Sequence, residues 1–168
     1  MEIREADEND WVRIYPLFRT IVDDGRTYAF PPNLSIDEAR PWWMEPPPGR
    51  TVVATQDDVV LGSAKMGPNR PGRGSHVATA SFMVNPEQQG RGVGAALGTY
   101  VVDWARDAGY RSMQFNAVVE SNSPAIHLWQ RLGFDILATV PRAFDHAEHG
   151  LVGLHVMVLN LEVPRETK

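Results

Sequence analysis

The chain has 168 residues, a formal net charge of −5 at pH 7 and 43% hydrophobic residues. This length and composition predict a single globular domain over residues 1–168, with one sizeable core. The acidic balance, without a Lys/Arg-rich run, argues against a nucleic-acid partner. No apolar segment is long enough to span a bilayer or resembles a targeting signal, so we expect a cytoplasmic protein without a membrane partner. The lack of cysteine excludes disulfides, thiolate nucleophiles and Cys-based zinc sites.

The first quarter of the chain is predicted to form a strand and two helices. Residues 2–6 form the strand, and Asp7 is expected to cap a helix whose apolar face includes Trp11, with Pro16 kinking or delaying that helix. The segment Ser35-Ile-Asp-Glu38 is a capping box that opens a second helix, ending before the prolines at 46–48. Between the two helices lies a loop rich in aromatic residues and proline.

The middle of the chain is predicted to be mostly strands. Residues 51–55 and 59–66 form a hairpin, and residues 67–75 form a solvated, mobile loop. Residues 77–84 then alternate strongly, which puts Ala78, Ala80, Phe82 and Val84 on one side of a strand.

The last third is predicted to alternate helices and strands. A helix over residues 92–107 ends at Gly109, and residues 112–119 form a strand parallel to the strand at 77–84. Asn122 or Ser123 caps a further helix. Residues 134–140 and 151–161 form the closing strands.

The segment Asn85-Pro-Glu-Gln-Gln-Gly-Arg-Gly-Val-Gly-Ala95 has the composition of an anion-binding loop. Its glycines at 90, 92 and 94 let backbone N–H groups converge, and the helix that follows brings its N-terminal amides to the same point. A P-loop is excluded, because alanine and leucine stand where Lys-Ser/Thr is required. A dinucleotide-binding pattern is formally present, but residues 85–89 separate the strand from the turn, and the next strand ends near Asn116 rather than in an acid.

These residues resemble the acyl-CoA loop of the GCN5-related N-acetyltransferases, the GNAT family. Gln89, Gly92 and Gly94 fill its Q/R-x-x-G-x-G/A signature. The later residues Asn122-Ser-Pro-Ala125, Trp129 and Leu132-Gly-Phe134 are similar to a second element of the family. The resemblance implies an α/β (α+β) GNAT fold: a mixed, mostly antiparallel sheet of about seven strands, helices on both faces and a splayed parallel central strand pair.

The resemblance also implies acetyl-CoA as cosubstrate and a set of residues that bind it. The pantetheine arm and thioester carbonyl are expected along Phe82, Met83 and Val84. The pyrophosphate is expected at Gln89, Gly90, Arg91, Gly92, Val93, Gly94 and Ala95. The thiol end is expected at Asn122, Ala125 and Trp129.

Amine attack on a thioester needs an oriented carbonyl, a proton acceptor and a proton donor, but no metal. The family's usual tyrosine acid is replaced by Trp129, whose indole N–H is too weak an acid, so water, Ser121 or Ser123 remain as donors. Trp129 is equally compatible with a packed aromatic. Glu120, at the end of a strand, is the first candidate base, and its alternative is an exposed carboxylate; Asp23, Asp24 and His76 are weaker candidates.

The acceptor amine is expected to meet Asn116, Tyr28 and Phe30. Asn116 is a polar residue at the end of an apolar strand, although an amide that bonds a neighbouring strand is the alternative. Phe115-Asn116, Asn122 and Trp129 resemble the GNAT branch that acetylates proline analogues and small amino acids. The pair His146 and His149 is not expected to bind a metal, because no third ligand is evident.

The sequence therefore predicts an acetyl-CoA-dependent N-acetyltransferase acting on a small-molecule amine, with a homodimer as one option for its assembly. A non-catalytic acyl-CoA-binding or sensor domain is the alternative, because Trp129 replaces the acid. A dinucleotide-dependent oxidoreductase is the third hypothesis.

Overall fold

The computed structural model describes residues 1–162, so the last six residues of the predicted domain lie outside the description. Seven strands and four helices follow one another in this range, with 3₁₀ turns at Gly72–Gly74 and Pro86–Gln88. The strands are β1 (Glu2–Glu5), β2 (Arg50–Gln56), β3 (Val59–Pro68), β4 (Val77–Val84), β5 (Ser112–Val119), β6 (Asp135–His146) and β7 (Gly150–Asn160). The helices are α1 (Asp10–Asp23), α2 (Ile36–Trp43), α3 (Val93–Asp107) and α4 (Ser123–Arg131).

All seven strands form one sheet in the order β1-β2-β3-β4-β5-β7-β6. Each neighbouring pair is antiparallel except β4 and β5, which run parallel and are joined by α3. A dozen or more residues are needed to connect parallel strands, and α3 supplies them. The predicted fold class is confirmed.

The parallel pair β4 and β5 separates soon after it begins. Its paired residues are Val77 with Ser112 and Ala78 with Met113. Beyond Ala78, β4 continues for six residues beside β3 while β5 continues beside β7. The two strands therefore enclose a V-shaped gap, called the splay below, at the centre of the sheet.

Helices cover both faces of the sheet, and each face has its own hydrophobic core. On one face, α3 and α4 bury residues such as Leu97 and Trp129 against the sheet. On the other, α1 and α2 bury residues such as Phe18 and Trp43. Because side chains alternate along a strand, Phe82 of β4 packs on the α3/α4 side while Met83 packs on the α1/α2 side.

Local capping explains where the first two helices begin. Ser35 and Glu38 form the predicted capping box of α2, each side chain accepting the other residue's backbone N–H. The prediction for Asp7 is wrong in detail, because α1 starts at Asp10 with Asn9 as its N-cap residue. The Asp7 side chain instead accepts the N–H groups of Asn9 and Asp10. Pro16 does not delay the helix, which continues through it.

The closing strands differ from the prediction, which ended the first of them at Val140. Strand β6 continues to His146, although its pairing with β7 shifts between Val140 and Phe144. Arg142 has φ of 54° in this irregular stretch, where the pairing with β7 is interrupted and then resumes. His146 consequently ends β6, and His149 lies in the short β6–β7 turn. That turn contacts the start of the α1–α2 loop, since Ala147 N–H donates to the Gly25 carbonyl at 3.0 Å.

No helix within residues 1–162 has both the length and the apolar character needed to cross a membrane.

An ion pair between the partly exposed Arg4 and the buried Asp10 joins β1 to α1. The Asp10 side chain is 2% exposed and accepts two hydrogen bonds from the Arg4 guanidinium, at 2.6 and 2.9 Å, and one from Asp7 N–H at 2.9 Å. The hydrogen bond from Arg4 is the main reason that the pKa of Asp10 lies below its ordinary value of 3.8.

We predict that this pair makes stability sensitive to acid. A carboxyl group whose pKa is lower in the folded state than in the unfolded state stabilises the fold at pH values above its unfolded-state pKa. This stabilisation is lost as the pH falls through the folded-state pKa. Asp10→Asn should lower the free energy of unfolding by about 1–3 kcal/mol at pH 7 and weaken its dependence on pH below about 4. Urea unfolding at pH 7 and pH 3 measures both effects. Asp37→Asn, at an exposed acid of α2, is the control; equal pH dependence in wild type and Asp10→Asn would contradict the assignment.

Candidate active site

The Gly-rich segment joins β4 to α3 at the wide end of the splay. Asn85 accepts Glu87 N–H at 3.0 Å and starts the 3₁₀ turn, after which Gly90 and Gly92 adopt φ of 79° and 76°. Both glycines are needed because L-residues rarely adopt this conformation. Gly92 is the N-cap residue of α3, and no side chain caps that helix. The first amides of α3 are therefore free to bind an anion.

The structure brings most of the predicted CoA-binding residues around this point. Phe82, Met83 and Val84 end β4, and Gln89 to Gly92 form an exposed turn before α3. Two members have other contacts. The Arg91 side chain hydrogen-bonds Gln88 and Gln56, and Val93 is buried in the core below the helix.

The backbone of β4 presents polar groups to the splay. On the β3 side of β4, Asn69 N–H donates to the Val77 carbonyl. On the β5 side, Arg111 N–H donates to the carbonyl of the preceding residue, His76. Since backbone groups alternate in direction along a strand, the N–H and C=O of Phe82 face β5. They lie beyond the last β4–β5 pair, so neither can bond β5. The Tyr28 hydroxyl, from the α1–α2 loop, accepts Phe82 N–H at 2.8 Å and donates to Phe82 C=O.

The α4 residues predicted for the thiol end lie on the α3/α4 side of the splay. Asn122 caps α4 by accepting Ala125 N–H at 3.4 Å. The Trp129 ring is 7% exposed, and its centroid lies 4.5 Å from that of Phe82 and 5.0 Å from that of Phe115. One aromatic from each diverging strand thus contacts the same indole, which lines this side of the splay.

Gly98 of α3 makes room for Trp129. A Cβ at Gly98 would lie 3.0 Å from Trp129 Cζ3 and 2.7 Å from Leu132 Cδ1. At Gly94, one turn earlier, the nearest atom would be Leu128 Cδ2 at 3.4 Å, an ordinary contact.

We predict opposite effects for alanine at these two glycines. Replacing glycine in a helix normally stabilises by about 1 kcal/mol. Gly94→Ala should therefore be neutral or stabilising, whereas Gly98→Ala should destabilise by about 1–3 kcal/mol because overpacking displaces the indole. Urea midpoints of the two variants measure the difference. A stabilised Gly98→Ala would show that Trp129 is not tightly held.

Three amide side chains form a chain on the α1/α2 side of the splay, towards its narrow end, where Asn69 N–H bonds the Val77 carbonyl. Asn116 is exposed; its Nδ2 donates to Asn69 Oδ1 at 2.6 Å, and its Oδ1 accepts from Gln114 Nε2 at 2.9 Å. Gln114 and Asn116 alternate with the buried Phe115, which packs on the opposite face. An amine approaching from the α1/α2 side would meet these amides.

Tyr28 and Phe30 lie on that same side, as part of an aromatic cluster. Their rings stack with centroids 5.1 Å apart, and Phe30 also stacks on Phe18 at 5.9 Å. A charged pair that the sequence analysis did not select lies beside them: Lys65 Nζ is 5.7 Å from the Phe30 centroid and 2.9 Å from Glu45 Oε1. No local sequence pattern signals this pair.

Glu120 lies at the end of β5, next to β7. Its Oε1 accepts Gly153 N–H at 2.6 Å, and its own N–H donates to the Gly153 carbonyl at 3.0 Å. A Cβ at Gly153 would lie 2.7 Å from Glu120 Oε2, so a side chain at this position would displace the carboxylate. Of the weaker candidates, Asp23 accepts Asn33 N–H at 2.9 Å.

The two histidines of the β6–β7 turn stack with ring centroids 4.4 Å apart. His146 Nδ1 accepts the N–H groups of Glu148 and His149, a turn-stabilising role. Across residues 1–162, no three His, Cys, Asp or Glu side chains come together in a way that could hold a metal ion.

The sequence matches the model of the acetyltransferase (GNAT) family over residues 11–134. The chain therefore belongs to the GNAT family of acetyltransferases, and the predicted resemblance is confirmed. The L-methionine sulfoximine/L-methionine sulfone acetyltransferase of Pseudomonas paraeruginosa is 30% identical over 97% of this chain and 96% of its own length. The L-amino acid N-acyltransferase MnaT of Escherichia coli is 34% identical over 54% of this chain and 53% of its own length.

Some curated relatives match only a segment of this chain. In those cases the match spans about half or less of the relative's own length. Solved structures match more completely. A GCN5-related N-acetyltransferase from Kribbella flavida has a TM-score of 0.91 and 54% identity, covering 95% of this chain and 96% of that one. YncA of Salmonella typhimurium, solved with its cofactor acetyl-CoA, has a TM-score of 0.82 and 26% identity, covering 100% and 98%.

Proposed function

We propose that this chain is an acetyl-CoA-dependent N-acetyltransferase that acetylates the amine of a small, amino-acid-like molecule. The observation that carries the proposal is the splay, where β4 has no partner strand beyond Ala78 and leads directly to the uncapped N-terminus of α3. The names of full-length relatives support the acceptor class, and the acetyl-CoA bound to YncA supports the donor.

In this proposal the two substrates approach the splay from opposite sides. Gln89 to Ala95 and the first amides of α3 hold the pyrophosphate of acetyl-CoA. The pantetheine arm then lies along Phe82 to Val84, and the thiol end lies near Asn122, Ala125 and Trp129. The acceptor enters between Tyr28, Phe30 and Asn116. Lys65, which is partly buried and already paired with Glu45, is a nearby cation for an acceptor carboxylate.

The reaction forms a bond from the amine nitrogen to the acyl carbon and breaks the bond from that carbon to sulfur. The amine loses a proton, for which we propose Glu120, directly or through water, and the thiolate gains one from water, Ser121 or Ser123. Holding the two substrates in line supplies much of the acceleration. Asn116, with its amide fixed by Gln114 and Asn69, orients the acceptor.

A non-catalytic acyl-CoA-binding domain is the second candidate, favoured by Trp129. A buried indole in contact with two phenylalanines supplies no acid, so a chain that only binds acyl-CoA would tolerate it. Turnover distinguishes the two functions.

We also propose that the protein acts in the cytoplasm as a homodimer, without nucleic-acid or membrane partners. Support for an interface comes from the edge strand β6 and from β7, where Leu137, Val140 and Leu151 are 70%, 51% and 48% exposed.

The function is tested with acetyl-CoA and a panel of amines, following free thiol release. The panel should include L-methionine sulfone, L-methionine sulfoximine and the natural amino acids. We expect at least one acceptor, and we expect acetyl-CoA but not NADH to stabilise the fold, by about 2.7 kcal/mol at a hundredfold excess over its Kd. Acetyl-CoA binding without any acetylation would favour the sensor; equal stabilisation by NADH would contradict both.

Two glycines, one at each end of α3, provide a test variant and a matched control for that binding experiment. Gly92 and Gly109 both have positive φ, at 76° and 83°, and a Cβ at either would meet no atom within 4 Å. Alanine therefore costs similar backbone strain at both sites. Gly92→Ala should weaken acetyl-CoA binding, because its Cβ enters the anion site, while Gly109→Ala should bind normally.

Glu120→Gln tests the proposed base. If the carboxylate accepts the amine proton, the variant should lose the acidic limb of the pH–rate profile and regain activity at high pH, where the amine is already deprotonated. The amide still offers an oxygen to Gly153 N–H, so stability should change little. A stopped assay between pH 5 and 10 measures the profile, and a profile like that of wild type would remove Glu120 from the mechanism.

A further inference from the structure

The Tyr28 hydroxyl occupies a backbone site of β4 that the sheet itself leaves open. It accepts Phe82 N–H at 2.8 Å and donates its own hydrogen to Phe82 C=O. These two backbone groups face the splay, six residues of β4 having no partner strand on that side. A buried backbone group without a partner is costly, so the tyrosine satisfies both groups at once.

The tyrosine ring is held firmly in this position. It stacks on Phe30 at 5.1 Å and meets the edge of Trp43 at 6.0 Å and 88°. Trp43 is fully buried, and its indole N–H donates to Ser63 Oγ at 2.9 Å. Moving the hydroxyl away from β4 would break this packing, whereas rotating the O–H bond breaks only its hydrogen bond to Phe82 C=O. The oxygen is therefore fixed, and its hydrogen can be redirected.

The surroundings make this hydroxyl a strong and permanent hydrogen-bond donor. Accepting Phe82 N–H polarises the O–H bond, because hydrogen bonds in a chain reinforce one another. Burial raises the pKa of Tyr28 above its ordinary value of 10.0, against smaller opposing effects of Phe82 and Ser81. The phenol thus stays protonated across the neutral range.

We propose that the Tyr28 hydroxyl is a catalytic residue that donates a hydrogen bond to the thioester oxygen as it becomes an oxyanion. The inference rests on the proposed function. Phe82 N–H bonds the tyrosine oxygen in this structure and so strengthens the hydroxyl as a donor.

The step requires no proton transfer by Tyr28. When the amine attacks, the carbonyl π electrons move onto the thioester oxygen, and the O–H of Tyr28 turns from Phe82 C=O to that oxygen. When the C–S bond breaks, the electrons return, the oxyanion becomes the amide carbonyl, and the hydrogen remains on the tyrosine throughout. The Phe82 carbonyl, released meanwhile, can accept an N–H group of the bound substrates.

Tyr28→Phe tests the proposal, because it removes the hydroxyl and keeps the ring that packs on Phe30 and Trp43. With acetyl-CoA and the best acceptor of the amine panel, kcat should fall by about 100-fold, the usual effect of removing one oxyanion donor. The Kd for acetyl-CoA should change little, since the interaction strengthens only as charge develops.

Tyr15→Phe is the matched control. Tyr15 belongs to the same aromatic cluster, and its hydroxyl donates to a backbone carbonyl, that of Leu34, at 2.8 Å, without contacting β4. Its kcat should equal that of wild type, and thermal melting shows whether both variants are folded.

Three results would overturn the inference. The first is turnover by Tyr28→Phe equal to wild type. The second is a Tyr28→Phe variant that binds acetyl-CoA more tightly and keeps full turnover. This result would show that the hydroxyl competes with acetyl-CoA for Phe82 N–H. The third is an equal loss in both variants, which would indicate a general effect of the loop. A wild-type chain that binds acetyl-CoA and acetylates no amine would instead overturn the proposed function and the inference with it.

Discussion

The separation of two parallel strands is the constraint on which the rest of this structure depends. Once β4 and β5 part after Ala78 and Met113, the facing backbone groups of β4 have no strand to bond. Backbone N–H and C=O groups inside a protein need partners, so the gap must be filled by side chains, solvent or a ligand. An ordinary parallel sheet is covered and closed; here the sheet is opened at its centre and the opening becomes the site.

The two sides of that opening are built with different chemistry. On the α3/α4 side, Phe82, Phe115 and Trp129 supply apolar surface, and the glycine-led start of α3 supplies amides for an anion. On the α1/α2 side lie hydroxyl, amide and charged groups, including Tyr28 and Asn116. A thioester carrier with an apolar arm and a charged end matches the first side, and a small polar amine matches the second. The strand that divides them, β4, contributes alternate residues to both.

Much of this arrangement could be predicted from sequence because its signals are local. Strands β4 and β5 were predicted with their observed bounds, since their alternation is regular and glycine or polar residues flank them. The Ser35 capping box and the glycines at 90 and 92 are equally short-range signals. Strand β6 was predicted too short, because Pro141 and the positive φ of Arg142 interrupt its pattern before pairing with β7 restores it. Contacts such as Tyr28 with Phe82, 54 residues apart, and Asn116 with Asn69, 47 apart, depend on the assembled sheet and have no sequence signature.

The contact between the β6–β7 turn and Gly25 sets a limit on how this protein can diverge. Tips of β-hairpins usually tolerate insertions, because nothing packs against them. Here Ala147 N–H bonds the Gly25 carbonyl, Glu148 pairs with Arg26, and a Cβ at Gly25 would lie 3.2 Å from that of Ala147. Tyr28 follows only three residues after Gly25. A change in the length of the turn would therefore reposition the start of the α1–α2 loop, so the far edge of the sheet can alter the proposed acceptor site without any substitution among the residues proposed to line it.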